Sequence, residues 1–141
     1  MILLDTDHLT VLKYTESERH ARLHGRLLAA APEMIGTTIV NVEEQMRGWL
    51  SAIAKERTLL RQITAYRELT DLFDFFTKVN IISMSDDTLD IFNSLCKSGI
   101  KIGSMDLKMA CIAVVNNALF LTANRRDFEK VPGLRFENWL E

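Results

Sequence analysis

Short, wholly apolar runs alternate along this chain with longer stretches in which apolar residues recur every three or four positions. Ile2-Leu3-Leu4 has no polar side, as in a strand buried on both faces, and it stops at Asp5. Asp7 to Lys13 reads as a short helix. Ser17 caps a second helix running to Ala31, with Leu23, Leu27 and Leu28 as its inner stripe. Pro32 ends it, and Glu33 to Thr37 makes the next strand, with Gly36 loosening its end. From Thr38 to Lys55 a helix is predicted to face inward through Ile39, Val42, Met46, Trp49, Leu50 and Ile53. A longer helix from Thr58 to Lys78 should do so through Leu59, Ile63, Tyr66, Leu69, Phe73 and Phe76.

Asn80 to Ser83 is a third strand. Ser85 caps a helix that ends at Gly99 and carries Asp86 and Asp87 in its first turn, where the helix dipole favours acids. Ser104 is the expected cap of an apolar helix with Asp106 in its first turn. Asp106, Ala110, Ala113 and Asn117 share one face of it, and the alanines allow close approach to the sheet. Ala118 to Leu121 is a fourth buried strand, followed by the polar loop Thr122 to Asp127. Leu134 to Phe136 is a last, edge-like strand.

Strands alternating with helices imply a single-domain α/β protein over residues 1–141, a parallel-sheet α/β/α sandwich of four to five strands. A length of 141 residues suits one domain with one sizeable core, and 48% apolar with 26% charged residues is an ordinary globular balance. No apolar run approaches the length of a membrane span, and Met1 leads into a strand without a basic leader, so a cytoplasmic protein is expected. Cys96 and Cys111 fit no metal spacing and are expected to be buried, reduced thiols. His20 and His24 lie one helical turn apart among arginines, which reads as a solvated face. A net charge of -2 gives no global attraction to nucleic acid, so that role requires a local basic patch.

Acids collect where strands end and helices begin: Asp5, Glu43 or Glu44, Asp106 and Asp127. Open α/β sheets bind ligands at that edge. Asp5 or Asp7 would also serve as a plain helix cap. Four carboxylates at one edge repel each other unless a cation sits among them. An oxygen-only set points to Mg²⁺ or Mn²⁺, and acid clusters holding such ions hydrolyse phosphodiesters.

Ile2-Leu3-Leu4-Asp5-Thr6-Asp7, Val42-Glu43-Glu44-Gln45-Met46-Arg47-Gly48, Gly103-Ser104-Met105-Asp106 and Leu121-Thr122-Ala123-Asn124-Arg125-Arg126-Asp127-Phe128 together resemble the PIN-domain ribonucleases of the VapC-like toxin type. The resemblance extends over nearly the whole chain, including Val131-Pro132-Gly133-Leu134 and Trp139. Asp7 departs from the Asn more often found there. It implies a metal-dependent endoribonuclease acting on RNA, often dimeric and often held by a cognate antitoxin. On that footing Asp5 and Asp106 are direct metal ligands, Glu44 completes the site, and Asp127 supports it or binds a second ion. Thr6, Thr122 and Asn124 would orient carboxylates, and Arg125 and Arg126 would contact RNA phosphates.

The spacing to Gly48 selects Glu44, whereas helical phase selects Glu43. Glu44 is preferred, because a ligand in a helix's first turns can point along the groove. Two other readings compete. Asp5-Thr6-Asp7 also resembles the opening of haloacid-dehalogenase-like phosphatases, but Leu9 and the missing later acid motif depart from that pattern. A catalytically silent PIN-like binding module is the second.

Overall fold

The computed structural model describes residues 1–141. Its centre is β1, Ile2–Leu4, whose three side chains are all buried. Leu3 enters one core, with Val40, Met109, Ala110, Ala113 and Phe120. Ile2 and Leu4 enter the other, with Leu9, Leu23, Leu27, Leu72 and Leu121. An apolar strand between two apolar layers explains why no polar alternation was seen in its sequence.

Parallel pairing joins β1 to β2, Ile35–Thr38, on one side and to β4, Leu119–Leu121, on the other. β3, Asn80–Ile82, and β5, Arg135–Glu137, complete a five-stranded sheet in the order β3-β2-β1-β4-β5. The chain therefore builds outward to β3 and then returns past β1 to β4. That return makes the gap between β1 and β4 the switch point of the sheet, the usual ligand position in open parallel sheets.

Helices α1, Thr6–Lys13, α2, Glu18–Ala29, and α4, Leu59–Phe76, contribute to the core around Ile2 and Leu4. Helices α5, Asp86–Lys97, and α6, Ser104–Val115, contribute to the core around Leu3. Helix α3, Ile39–Lys55, follows β2 directly, and α7, Arg125–Phe128, is a single turn where a loop was expected. Phe128 packs edge-on against Phe120, with ring centroids 4.9 Å apart. The result is the expected layered α/β architecture.

Several expectations are corrected. Ser104 does not cap α6: Gly103 holds that position, without a side-chain bond, and Ser104 is the first helical residue. Asn117 lies beyond the helix, at a left-handed φ of 49°. Cys111 is buried but Cys96 is exposed, because it sits on the outer side of α5. Leu28 is exposed, since Leu23 and Leu27 already fill the inner face of α2. In α3, Ile39 and Leu50 are exposed. In α4 the buried residues are Ala65, Leu72 and Phe76, and Leu59, Ile63, Tyr66 and Phe73 face outward. The apolar stripe read from the sequence is thus rotated from the one that the sheet covers.

Gly36 lies inside β2, opposite Asn80 of β3, and does more than loosen a strand end. A Cβ built there would stand 2.4 Å from the Asn80 carbonyl oxygen, so glycine permits the approach of the two strands. Gly36→Ala is expected to destabilise the protein by about 1–3 kcal/mol, the usual range for overpacking against backbone. Urea denaturation checks this, and an unchanged midpoint would show that β3 moves aside freely.

Candidate active site

Asp5 is the first residue after β1 and also the N-cap of α1, where its side chain accepts from the Thr6 N–H. The capping and site readings therefore coincide in one residue. Its backbone N–H donates to the Leu121 carbonyl at 2.9 Å, which ties it to β4. The Thr37 hydroxyl donates to the Leu4 carbonyl at 2.7 Å, which fixes the same end of β1 from β2.

Only 8% of Asp5 is exposed. A carboxylate so placed needs donors. Oδ1 accepts from the Thr6 N–H at 2.7 Å and from Asn41 Nδ2 at 2.9 Å. Oδ2 accepts from the Thr122 hydroxyl at 2.7 Å. Burial raises the Asp5 carboxyl from 3.8 to about 6, with a smaller push from the Asp7 charge, against the opposing hydrogen bonds of Thr122, Thr6 and Asn41.

Glu44 accepts from the Thr6 hydroxyl at 2.6 Å. Glu43 instead pairs with Arg47 at 2.7 Å, on a more exposed part of α3. The geometry therefore turns Glu44, and not Glu43, towards Asp5's neighbour. Asp106, in the first turn of α6, is half-buried. Burial raises its carboxyl, and the charges of Glu44 and Asp127 raise it further. Asp127 accepts from Asn124 Nδ2 at 3.0 Å and lies 3.7 Å from Lys130 Nζ. The Thr122 hydroxyl accepts from the Asn124 N–H at 3.0 Å, which links Asp127's turn back to Asp5.

Arg125 and Arg126 are exposed on α7, and neither bonds to the acids. Arg125 lies 3.4 Å from Glu129. It also lines a cavity that includes Thr122, Arg26 and Trp139 and so adjoins the acid site; Arg126 does not.

Two residues escaped the sequence reading. Asn41 is fully buried in α3 and contacts Asp5, Thr6 and Met109. Its signal was a polar residue inside Ile39-Val40-Asn41-Val42, three after the capping Thr38. His8, also fully buried, faces Asp7 through Nδ1, and its Nε2 accepts from the Trp139 N–H at 3.1 Å. Nδ1 therefore carries the proton that points at Asp7. Asp7 Oδ2 accepts from the Ala123 N–H at 2.8 Å. Burial pushes the Asp7 carboxyl up, but the hydrogen bonds from the His8 ring, the Ala123 N–H and the His8 N–H outweigh it and hold the group below its usual value.

No three His, Cys, Asp or Glu side chains converge closely enough to ligate one ion by themselves. Mg²⁺ is commonly held by one or two carboxylates plus waters and substrate phosphates, and this open set of oxygen donors fits that mode. Asp5 Oδ2 and the unbonded oxygens of Glu44 and Asp106 are the groups that would hold such an ion.

No protein-family model matches the chain. It is similar to Ribonuclease VapC2 of Rickettsia felis, 32% identical over 69 residues, covering 46% of this chain and 52% of that protein. It is 38% identical over 47 residues to Ribonuclease VapC1 of Haemophilus influenzae, covering 33% of this chain and 35% of that protein. The chain thus matches between a third and about half of the length of these relatives. Among solved structures, it superposes on a chain of VapBC2 from Rickettsia felis bound to a promoter DNA fragment, with a TM-score of 0.72 and 23% identity over 99% of both chains. VapBC-1 from nontypeable Haemophilus influenzae gives a TM-score of 0.71 and 23% identity over 100% of both chains. The fold is the one found in those complexes.

The raised carboxyl of Asp5 makes a stability prediction. A folded-state pKa above the unfolded value means that the native state binds the proton more tightly. The resulting stability is full below about pH 4 and is lost as pH rises through about 6. Two units correspond to about 3 kcal/mol. In urea titrations of metal-free protein between about pH 4 and 7, the parent should lose roughly that much more stability than Asp5→Asn. Parallel pH profiles would refute the shift.

Proposed function

We propose that this chain is a divalent-metal-dependent endoribonuclease of the VapC-like PIN type, acting as the toxin of a toxin–antitoxin pair. The observation that carries the reading is Asp5. It is a nearly buried carboxylate at the switch point of the sheet with one site on Oδ2 still open, linked through Thr6 to Glu44 and through Thr122 and Asn124 to Asp127, and the charges of those two acids reach Asp106. Relatives named as ribonucleases, and a fold shared with VapBC complexes, support the same conclusion.

In this reading Asp5, Glu44 and Asp106 would hold the ion together with water and substrate oxygens, and Asp127 would support the site or serve a second ion. A bound Mg²⁺ or Mn²⁺ would supply charge neutralisation, an activated water and stabilisation of the phosphodiester oxygens. The chain's own part is to aim those carboxylates and to offset part of the cost of burying the Asp5 charge. Thr122 and Thr6 fix Asp5 and Glu44 by donating hydrogen bonds. Asn124 holds Asp127. Arg125 and Arg126 offer RNA phosphates the local positive charge that a net charge of -2 does not provide.

A phosphatase of the haloacid-dehalogenase type is disfavoured by geometry. Asp7, its required acid, is turned to His8 and Ala123 and away from the open site on Asp5. No helix is long and apolar enough to cross a membrane.

RNA cleavage assays with Mg²⁺ or Mn²⁺ test the reading. Asp5→Asn and Asp106→Asn should each lose activity on the order of a hundredfold or more, the scale of losing a charge-stabilising group, while remaining folded. Glu44→Gln should lose far more than Glu43→Gln. Full cleavage by both aspartate variants would overturn the assignment, and a parent without cleavage would favour the silent binding module.

We also propose that the chain forms a homodimer besides binding a cognate antitoxin. Leu59, Leu60, Tyr66 and Phe73 leave apolar surface on α4, and two-fold pairing is the commonest arrangement of soluble oligomers. Light scattering should report twice the chain mass; a monomer at every concentration would refute pairing.

A further inference from the structure

We infer that Asn41 is a positioning residue that confines Asp5 to single-oxygen ligation through Oδ2, and so favours Mg²⁺ and Mn²⁺ over Ca²⁺. The inference rests on the metal-dependent reading of the site and adds the source of its ion preference.

A carboxylate offers about four lone-pair sites, two on each oxygen. At Asp5 the two on Oδ1 are filled, by the Thr6 N–H at 2.7 Å and by Asn41 Nδ2 at 2.9 Å. Oδ2 accepts only from the Thr122 hydroxyl, which leaves one site open there. The Thr6 N–H is fixed by the start of α1, and its presence at Oδ1 follows from helix geometry alone. The Asn41 amide is therefore the side chain that closes Oδ1.

Its orientation is fixed as well. The Asn41 side-chain oxygen accepts from the Thr38 hydroxyl at 2.7 Å, and that hydroxyl accepts from the Asn41 backbone N–H at 3.1 Å. Turning the amide over would set its oxygen against the Asp5 carboxylate, so the network admits one orientation. The amide nitrogen also donates to the Thr6 hydroxyl oxygen at 3.2 Å. With that lone pair occupied, the Thr6 proton is directed to Glu44, which it meets at 2.6 Å. One buried amide thus sets which oxygen of Asp5 is open and directs the Thr6 proton to Glu44. Asn41 is wholly inaccessible to solvent, so it acts through these two carboxylates and never on substrate.

The consequence is ion selectivity. Mg²⁺ demands near-ideal octahedral geometry, keeps several waters and takes few carboxylates, whereas Ca²⁺ accepts six to eight oxygens and readily takes carboxylates through both. Two-oxygen ligation by Asp5 requires an open site on Oδ1, and the Asn41 amide fills the one that the Thr6 N–H leaves. Removing the amide opens it.

The test is Mn²⁺ binding to the full chain by electron paramagnetic resonance, with Mg²⁺ and Ca²⁺ as competitors, alongside melting temperatures in chelator. Asn41→Leu, close in size and without a donor, should weaken Mn²⁺ and shift the Mg²⁺-to-Ca²⁺ preference towards Ca²⁺ by roughly tenfold, the scale on which groups behind a ligand tune a metal site. Thr38→Val removes the amide's anchor and should shift the preference the same way, by less. The double variant should equal Asn41→Leu alone, because both act through one amide. An unchanged preference in a folded variant, whatever its melting temperature, would reduce Asn41 to a structural residue and overturn the inference. If Asn41→Leu does not fold, Thr38→Val decides by the same criterion. A parent that binds none of the three ions overturns the metal-dependent reading itself, and this inference with it.

Discussion

A carboxylate held almost out of water has to be surrounded by donors, and the fold around Asp5 supplies them from separate elements. The Thr6 N–H comes from the start of α1, the Asn41 amide from α3 and the Thr122 hydroxyl from the end of β4. Leaving such a group unpaired costs about 1–3 kcal/mol, and more when it is charged. Displacing α3 or β4 relative to β1 would therefore disturb the site before it opened the core. The backbone bond from Asp5 to Leu121 and the Thr37 bond to Leu4 hold the same junction from both neighbouring strands. Sheet order and site geometry are one constraint, because only a central strand can draw donors from both sides.

The other acids are under a different regime. Glu44, Asp106 and Asp127 are half-buried and stand on helix first or second turns, where water still screens them. The candidate site thus combines one desolvated carboxylate with three that water still reaches. Asp7, two residues from Asp5, belongs to neither group. It is joined to His8 and the Ala123 N–H, and His8 reaches the Trp139 backbone. That chain of bonds, centred on the buried His8, fastens the segment around Trp139 to the first helix, on the side where Arg26 stacks on Trp139 at 4.2 Å. Two aspartates in one short motif make separate contacts because residues two apart at a helix start point in different directions.

The sequence showed the parallel sheet clearly, since runs such as Ile2-Leu3-Leu4 and Leu119-Phe120-Leu121 lack any polar face. It also showed where acids meet strand ends, and it found the caps at Ser17 and Ser85, whereas Thr38 and Thr58, read as the first helical residues, are caps as well. What it could not show was partnership across elements. Asn41 reads as a lone polar residue in an apolar stretch until Asp5 and Thr6 are brought beside it from 36 and 35 positions away. Helical phase likewise favoured Glu43, because a wheel measures direction about one axis. It does not register that α3 starts at the sheet's ligand edge, where Glu44 meets Thr6 of another helix. The Ser104 cap failed for a local reason: Gly103 supplies the extended residue before the helix, so the serine falls one position inside it.

The same limit explains α4. Leu59, Ile63, Tyr66, Phe73 and Phe76 recur at helical spacing, yet only Phe76 of these is buried, and Ala65 and Leu72 share its inward face. A periodic pattern reports where apolar groups stand on a helix and says nothing about which neighbour covers them. One face of α4 meets α3 and the core around Leu72, and that contact is set by where the sheet lets the two helices lie. The remaining apolar groups are then left on the outside by topology. They form an edge to the fold whose composition resembles a core, while the acids lie at the carboxyl end of the sheet. The two features are built from different constraints: donors converging on one charge in the first, and an unmet hydrophobic face in the second.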